Sequence, residues 1–354
     1  MNYYQPALFD NVEISANRLL LPSKKWDSFR FIDLFAGIGG MRLGFESVGG
    51  KCVFSSEWDR QASNTYEANF GEKPEGDITK IATNNIPSFD ILLAGFPCQP
   101  FSIIGDKEGF AHSTQGTLFF EIERILKEKR PPAFMLENVR NLTAHDKGNT
   151  FRIIIDHLKE LGYIVYSKIL NALDFGVPQK RERIIICGFL DDVNFAFPFP
   201  VPEKERIKLV DILEPDEIVD KKLWVRNAIR DSRKSRMKFE PQKPYITHEN
   251  IAGSITPHDY SCALRAGASA NYILINNERR PTARELLRLQ GFPDTFKIVV
   301  PYNCIRKQTG NSVAVPVIKA VAREMLVALK RFEIKRCKLS ACRDVANLSI
   351  ALQA

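Results

Sequence analysis

From residue 29 onward, short apolar segments alternate with segments whose apolar residues recur at helical spacing. The short segments are typical of buried strands, and the others are typical of amphipathic helices. This alternation predicts βαβ units, which assemble into a mostly parallel, doubly wound sheet of the α/β class. The predicted strands are 29–35, 51–57, 90–96, 133–139, 163–170 and 183–190, and the clearest predicted helices are 116–129 and 150–162.

The alternation stops after residue 190, where a proline-rich stretch leads to a strongly basic segment at 221–238. Helical patterns return near residue 280. When the alternation of strand-like and helix-like segments is interrupted and helical patterns then return, the interruption indicates a smaller domain within a larger one. We predict a large domain over 1–200 completed by 280–336, a small domain over 201–279, and a C-terminal tail over 337–354.

The composition is that of a globular, basic protein. Of 354 residues, 44% are hydrophobic, and the formal net charge is +8, which modestly favours a polyanionic partner. Seven irregularly spaced cysteines without a C-x-x-C pair predict neither a disulfide framework nor a metal site. No apolar run approaches the ~18 residues of a membrane span, and the N-terminal residues lack a secretion pattern. We therefore expect a cytoplasmic protein that contacts no membrane.

A glycine-rich turn, DLFAGIGG, follows the first predicted strand and opens a helix. Gly37, Gly39 and Gly40 permit a tight turn and a close approach of a ligand to the backbone. A dinucleotide-binding loop would need a third glycine at the position of Arg42. A phosphate-binding P-loop is excluded because no Gly-Lys-Ser/Thr follows. A purely structural turn is the remaining alternative.

Two carboxylates follow where a nucleoside needs them. Glu57 ends the second predicted strand, where a carboxylate can bind both ribose hydroxyls. Asp77 precedes a further element and could accept a hydrogen bond from an adenine amino group. Each alone is more often a solvated loop acid. Together with the glycine turn they indicate an adenosine ligand without phosphates, and S-adenosylmethionine fits that description.

Two further side chains end the next two predicted strands. Cys98 lies in AGFPCQPFS, where the flanking Pro97 and Pro100 restrict the backbone around the thiol. Glu137 follows an apolar run, and burial there would raise its pKa. Ligands bind beyond the C-terminal ends of parallel strands, so Cys98 and Glu137 could face one pocket. A buried inert cysteine and a capping glutamate are the alternatives.

Arg181 and Arg183 precede the strand RIIICGF and fall on one face by strand alternation. A solvated charged hairpin is the ordinary explanation of such a pair. Two arginines on one face could alternatively hold a carbonyl oxygen and a phosphate.

Six motifs in order resemble those of the DNA (cytosine-5) methyltransferases, especially the bacterial restriction–modification type. The resemblance covers about residues 28–200 and 262–325, and six motifs in order are far more specific than any one. It implies a Rossmann-like S-adenosylmethionine-dependent methyltransferase domain with a small target-recognition domain at 201–279. The motifs span Phe35–Gly40, Gly95–Ser102, Glu137–Val139, Gln179–Arg183, Arg284–Pro293 and Gly310–Val313.

The resemblance also implies residue roles, without a metal. Cys98 is expected as the nucleophile, and Glu137 as the acid acting at cytosine N3. Arg183 is expected to contact cytosine O2, and Arg181 to support the site or a phosphate. The residues expected around S-adenosylmethionine and its product S-adenosylhomocysteine are Phe35, Gly37, Gly39, Gly40, Glu57, Trp58, Asp77, Pro97, Asn311 and Val313. The residues expected to contact DNA are Gln99, Ser102, Lys107 and Arg265.

Two departures from the family pattern concern DNA contacts. Thr114-Gln115 stands where relatives often carry an arginine, so a phosphate contact from this loop is expected to be lost or moved to Lys107. Ala263 stands where relatives often carry threonine, which puts a hydroxyl contact near the target base in question.

The expected substrate is double-stranded DNA with the target cytosine flipped out and the segment 102–117 closing over it. The basic run at 221–238 is expected to supply phosphate contacts. The resemblance implies a monomer in the bacterial cytoplasm, with a restriction endonuclease as its partner in function. Two alternatives stay open: a tRNA cytosine-5 methyltransferase on the same fold, and a non-catalytic DNA-binding regulator.

Overall fold

The computed structural model describes residues 26–97 and 117–351. The strands up to residue 190 are β1 (Phe29–Leu34), β2 (Gly50–Ser56), β3 (Ile91–Gly95), β4 (Ala133–Val139), β5 (Ile164–Asn171), β6 (Gln179–Lys180) and β7 (Glu182–Phe189). Six of them form one sheet in the order β2-β1-β3-β4-β7-β5. Neighbours are parallel from β2 to β4, and β7 lies antiparallel between β4 and β5. The predicted mostly parallel α/β sheet is confirmed.

Helices cover both faces of this sheet. The helices are α1 (Gly40–Glu46), α2 (Arg60–Phe70), α3 (Thr117–Lys129), α4 (Asn149–Glu160), α5 (Leu209–Ile212), α6 (Asn227–Ser235), α7 (Ala283–Leu289), α8 (Tyr302–Asn311) and α9 (Val315–Ala351). In β3, Ile91 and Leu93 pack with α1 and α9, whereas Leu92 and Ala94 pack with α3 and α4. Because successive side chains of a strand point to opposite faces, an unbroken apolar run such as β3 requires cover on both.

Residues between the proline-rich stretch and α7 form a second, smaller sheet. Its strands are β8 (Ile246–Glu249), β9 (Ile255–His258) and β11 (Ile273–Ile275), antiparallel in the order β11-β8-β9. A short strand, β10 (Ser261–Cys262), lies outside this sheet and pairs in parallel with β6. The pairing brings the region predicted as the small domain directly against the residues that precede β7. The domain division itself stays a prediction.

The basic run at 221–238 is not uniformly available to DNA. Arg233 on α6 is only 1% exposed. It donates to Asn277 Oδ1 at 3.0 Å, to Thr247 Oγ1 at 2.9 Å and to Glu249 Oε2 at 2.7 Å. The expectation that this run supplies phosphate contacts is therefore wrong for Arg233, which binds α6 to the second sheet.

Helix α9 is the longest element and continues to Ala351, so most of the segment predicted as a tail is helical. Its first half packs against α1, where Gly44 lets Ile318 approach closely.

Across the described ranges, every helix is too short or too polar to span a bilayer.

Candidate active site

The ends of β3 and β4 lie side by side at one edge of the sheet. Gly95, the last residue of β3, pairs with Glu137 near the end of β4. Asn138 Nδ2 donates to the carbonyl oxygen of Phe96 at 3.0 Å, which ties the segment leading to Cys98 to β4. The motif Glu137–Val139 contains Asn138, but no role was predicted for it, although its place beside Glu137 at a strand end was a usable signal.

Several residues predicted for this edge lie outside the described residues. The structure follows β3 as far as Pro97. The predicted residues beyond that point are Cys98, Gln99, Ser102, Lys107, Thr114 and Gln115.

Glu137 and Arg183 form an ion pair across the antiparallel strands β4 and β7. Arg183 Nε lies 3.0 Å from Glu137 Oε1, and both side chains are largely buried. Arg183 also donates through Nη1 to the carbonyl oxygen of Glu182 at 2.8 Å. Burial raises the pKa of Glu137, and the nearby charges of Arg183 and Arg181 oppose that rise. The direction agrees with the expectation from the apolar run before Glu137.

Arg181 is 2% exposed and binds main-chain carbonyls that lie far away in the sequence. Its Nη1 atom donates to Leu264 O at 3.0 Å, and its Nη2 atom donates to Gly310 O at 3.0 Å and Ser312 O at 2.5 Å. Burial, followed by the charge of Arg183, lowers the pKa of Arg181 to about 9. Of the two roles expected for Arg181, this geometry fits support of the site and does not fit a phosphate contact.

The glycine turn joins β1 to α1 through left-handed backbone, with φ of 56° at Phe35, 56° at Gly37 and 84° at Gly39. Such conformations strain any residue with a side chain, and Phe35 adopts one nonetheless. Apart from the two residues next to it in the chain, no described residue has an atom within 4 Å of the position that a Cβ on Gly37 would take. The turn therefore keeps an open space directly beside its backbone.

Glu57 lies against the main chain of the same turn. Its Oε2 atom accepts a hydrogen bond from Gly37 N at 2.8 Å, and its Oε1 atom accepts one from Asp59 N at 2.7 Å. Burial raises the pKa of Glu57, while its main-chain donors oppose that shift. The structure thus brings together the glycine turn and the carboxylate predicted to hold a ribose.

The remaining predicted cofactor residues differ in their exposure and contacts. Val313 packs on Gly40, where a Cβ would come within 2.8 Å of Val313 Cγ2, and Asn311 is exposed at the end of α8. Trp58 is 77% exposed, so its ring is free to stack on a planar ligand. Asp77 Oδ1 caps the turn that follows it, accepting from Thr79 N at 3.0 Å, and the predicted contact of Asp77 with the adenine amino group stays a prediction.

Arg265 is exposed and immediately follows the carbonyl group held by Arg181. Its guanidinium carbon lies 4.9 Å from the centroid of the Tyr272 ring, and its main-chain N–H donates to Tyr272 Oη at 3.1 Å. Tyr272 therefore contacts both the main chain and the exposed side chain of Arg265.

A family model for C-5 cytosine-specific DNA methylases matches residues 29–327. The chain belongs to this family. Among its relatives, the type II methyltransferase M.HaeII of Haemophilus aegyptius is 57% identical over 301 residues, covering 85% of this chain and 94% of the relative. The type II methyltransferase M.NgoBI of Neisseria gonorrhoeae is 56% identical over 295 residues, covering 83% and 92%.

Solved structures support the fold of this cytosine-5 DNA methylase. The S. pombe Dnmt2 methyltransferase superposes with a TM-score of 0.64 at 21% identity, covering 86% of this chain and 99% of that one. At that identity the similarity concerns the fold alone.

Membership in a methyltransferase family implies use of S-adenosylmethionine and DNA. The residues at the edge of the sheet fit the nucleoside part of that cofactor. The open space beside Gly37 admits a ligand against the backbone, Glu57 supplies hydrogen-bond acceptors for hydroxyl groups, and Trp58 offers an exposed ring. Within the described ranges, no cluster of three or more metal-binding side chains is present.

The sequence of this methylase predicted no separate role for Gln179, although the residue begins one of the motifs. The residue is fully buried, donates through Nε2 to Leu289 O at 2.7 Å, and accepts through Oε1 from Leu264 N at 3.0 Å. It therefore joins the segment after β10 to α7. The only available signal was its place at the start of the Gln-x-Arg-x-Arg run.

Proposed function

We propose that this DNA cytosine-5 methyltransferase modifies cytosine in a specific duplex sequence and protects DNA in a restriction–modification system. The observation that supports the chemistry best is the buried Glu137–Arg183 pair beside the end of β3, the strand that leads to Cys98. The type II names of the relatives support the protective role. On this proposal, a restriction endonuclease is the partner in function, and the enzyme acts as a monomer in the bacterial cytoplasm.

The proposed reaction uses covalent catalysis because C5 of cytosine is a poor nucleophile. The Cys98 thiolate adds to C6 while Glu137 gives a proton to N3, which leaves an enamine. C5 of the enamine then takes the methyl group of S-adenosylmethionine, and S-adenosylhomocysteine leaves. Loss of the C5 proton to a base re-forms the C5–C6 double bond and expels the Cys98 thiolate, while N3 returns its proton.

Glu137 and Arg183 hold the cytosine ring in this proposal. A glutamate with a raised pKa remains a proton donor closer to neutrality, which suits transfer to N3. Arg183, which lies beside Glu137, would donate to cytosine O2 and so keep N3 of the ring facing Glu137. Arg181 would act through the carbonyl groups that it binds and need not touch DNA.

The cofactor is proposed to lie between the glycine turn and Glu57, with Trp58 against its adenine. Phe35, Pro97, Asn311 and Val313 would line the same space. Bound there, S-adenosylmethionine supplies an electrophilic methyl group. Asp77 would accept a hydrogen bond from the adenine amino group, since capping the next turn leaves acceptor sites on its carboxylate.

The target cytosine must leave the duplex to reach this edge, at a cost of a few kcal/mol. We infer that Gln99, Ser102 and Lys107, which lie outside the described residues, contact DNA, and that the exposed Arg265 contacts it as well. The region around the second sheet would choose the sequence, with exposed basic residues contacting phosphates.

Transfer of a labelled methyl group to unmethylated genomic DNA, compared with transfer to tRNA, tests the proposal. We expect DNA to be labelled, tRNA not to be, and bisulfite sequencing to show 5-methylcytosine within one short sequence. Label in tRNA alone would favour the RNA alternative. Specific DNA binding without any transfer would favour a non-catalytic regulator. The Cys98→Ser variant is the matched control, and it should bind DNA without transferring methyl groups.

A further inference from the structure

Arg42 occupies the position at which a dinucleotide-binding loop carries its third glycine, in the first turn of α1. Its residue exposure is only 8%, although arginine is among the least often buried residue types. A charge buried beside a ligand-binding turn needs partners, and those partners show what the side chain holds in place.

The partners of Arg42 lie on two helices. Its Nε atom is 2.7 Å from Glu46 Oε1 one turn further along α1. Its Nη1 atom donates to Tyr66 Oη on α2 at 2.9 Å and also pairs with Glu72, just after α2. The guanidinium carbon lies 4.3 Å from the ring centroid of Phe70. Arg42 therefore fastens α1 to α2.

The rings of Tyr66 and Phe70 also pack against the glycine turn. A Cβ on Gly39 would clash with the ring of Phe70 and would lie 3.3 Å from Tyr66 Cε2. On its other side, the turn donates from Gly37 N to Glu57 Oε2. Glu57 lies between β2 and α2, and its Oε1 atom accepts from the N–H of Asp59, the N-cap of α2. A shift of α2 relative to α1 would therefore disturb the contact between the turn and this carboxylate.

The surroundings of Arg42 keep it charged. Burial opposes the charge, but Tyr66, Cys52 and Glu46 outweigh burial, so that the pKa of Arg42 is raised. Asp33 on β1 is buried nearby, and among the described residues no side chain donates a hydrogen bond to its carboxylate. Arg42 is the cation that opposes the effect of burial on Asp33.

We propose that Arg42 is a positioning residue for S-adenosylmethionine, which holds the glycine turn on Phe70 and so keeps Gly37 and Glu57 at the spacing the cofactor needs. This inference rests on the proposed function, in which the turn binds that cofactor. Arg42 acts through other residues and touches neither DNA nor the reacting atoms. Its loss should therefore weaken cofactor binding and leave the chemical step largely unchanged.

The test is calorimetric titration of S-adenosylhomocysteine into Arg42→Met, which keeps an unbranched chain and removes the charged donors. We expect the Kd to rise about tenfold or more, with Arg42→Lys intermediate. At saturating cofactor, kcat on unmethylated genomic DNA and the Kd for that DNA should stay within about threefold of wild type.

The matched control is Arg130→Met, the same substitution in an arginine that follows α3 and donates to Leu161 O at 3.0 Å. It should bind S-adenosylhomocysteine as the wild type does. If Arg42→Met does not fold, Phe70→Leu keeps the arginine and removes its ring platform, and it too should weaken cofactor binding.

Wild-type cofactor affinity in folded Arg42→Met, or in Phe70→Leu where Arg42→Met does not fold, would overturn the inference. So would a fall in kcat at saturation as large as the loss of affinity, since a positioning residue for the cofactor would not produce it. Failure of the wild-type protein to bind S-adenosylhomocysteine would overturn the proposed cofactor site itself, and the inference with it.

Discussion

Arg183 Nε and Glu137 Oε1 lie 3.0 Å apart, on neighbouring antiparallel strands, at the edge of the sheet to which β3 leads. The pair joins a cation to an acid whose pKa burial has raised. A cytosine ring placed here would meet a proton donor for N3 and a hydrogen-bond donor for O2 at once.

The first prediction concerns the acid itself. Glu137→Gln keeps the shape of the side chain and removes its acidic proton, so kcat should fall by roughly 10²–10⁴-fold. Binding of S-adenosylhomocysteine should be unchanged, since the cofactor is assigned to other residues. Single-turnover transfer of labelled methyl groups measures the first quantity, and calorimetry the second. Unchanged single-turnover rates would remove Glu137 from the mechanism.

The second prediction is the pH dependence of turnover. The protonated form of Glu137 is the donor, and its fraction falls as pH rises through the pKa. Because that pKa is raised, kcat should decline on the alkaline side of a value above the ordinary pKa of glutamate. The decline should be absent from Glu137→Gln and present in Glu160→Gln, an exposed carboxylate on α4. A decline that persists in Glu137→Gln would assign it to another group.

The third prediction separates the two arginines. Arg181→Met leaves the carbonyl groups of Leu264, Gly310 and Ser312 without their donor, so the free energy of unfolding should fall by about 3 kcal/mol or more. Arg183→Met should cost about 1–2 kcal/mol, because Glu137 can become neutral in response. Urea denaturation followed by circular dichroism gives both values. Turnover should be lost in Arg183→Met even where the protein is folded. If Arg181→Met were as stable as the wild type, Arg181 would not support the site as proposed.

Much of the architecture follows from the local sequence. The run Ile91–Ala94 reads as a doubly covered strand because every residue in it is apolar, and β3 is buried on both faces. The glycine turn and Glu57 were predicted together because each follows a recognisable strand. Local patterns of this kind are set by residues that are neighbours in the chain.

The partners of buried polar groups could not be predicted in this way. Arg181 binds carbonyl groups of Leu264, Gly310 and Ser312, and no periodicity links those positions to residue 181. Arg233 looked like one cation among many in a basic run, yet it is the best buried of them because Thr247, Glu249 and Asn277 surround it. In both arginines, burial and hydrogen-bond partners are set by tertiary contacts with residues distant in the chain.

The fourth prediction follows from the burial of Arg233. Arg233→Met should lower the free energy of unfolding by about 3–5 kcal/mol, while the salt dependence of DNA binding by the folded protein stays the same. Lys222→Ala, in the same run but exposed, should leave stability unchanged and reduce the salt slope by about 0.9 through loss of one phosphate contact. Denaturation curves and binding isotherms over a range of salt concentrations compare the two. A reduced salt slope in Arg233→Met would mean that this side chain reaches DNA after all.

The most direct test of the whole account is a covalent bond between Cys98 and cytosine. DNA amplified with 5-fluorocytosine in place of cytosine carries the analogue at every target site. Fluorine at C5 cannot leave as a proton does, so the bond between Cys98 and C6 should persist after methyl transfer. We predict a complex that survives denaturation when protein, this DNA and S-adenosylmethionine are combined, with the modified peptide containing Cys98 and no complex from Cys98→Ser. Absence of that complex from protein that methylates ordinary DNA would contradict the account.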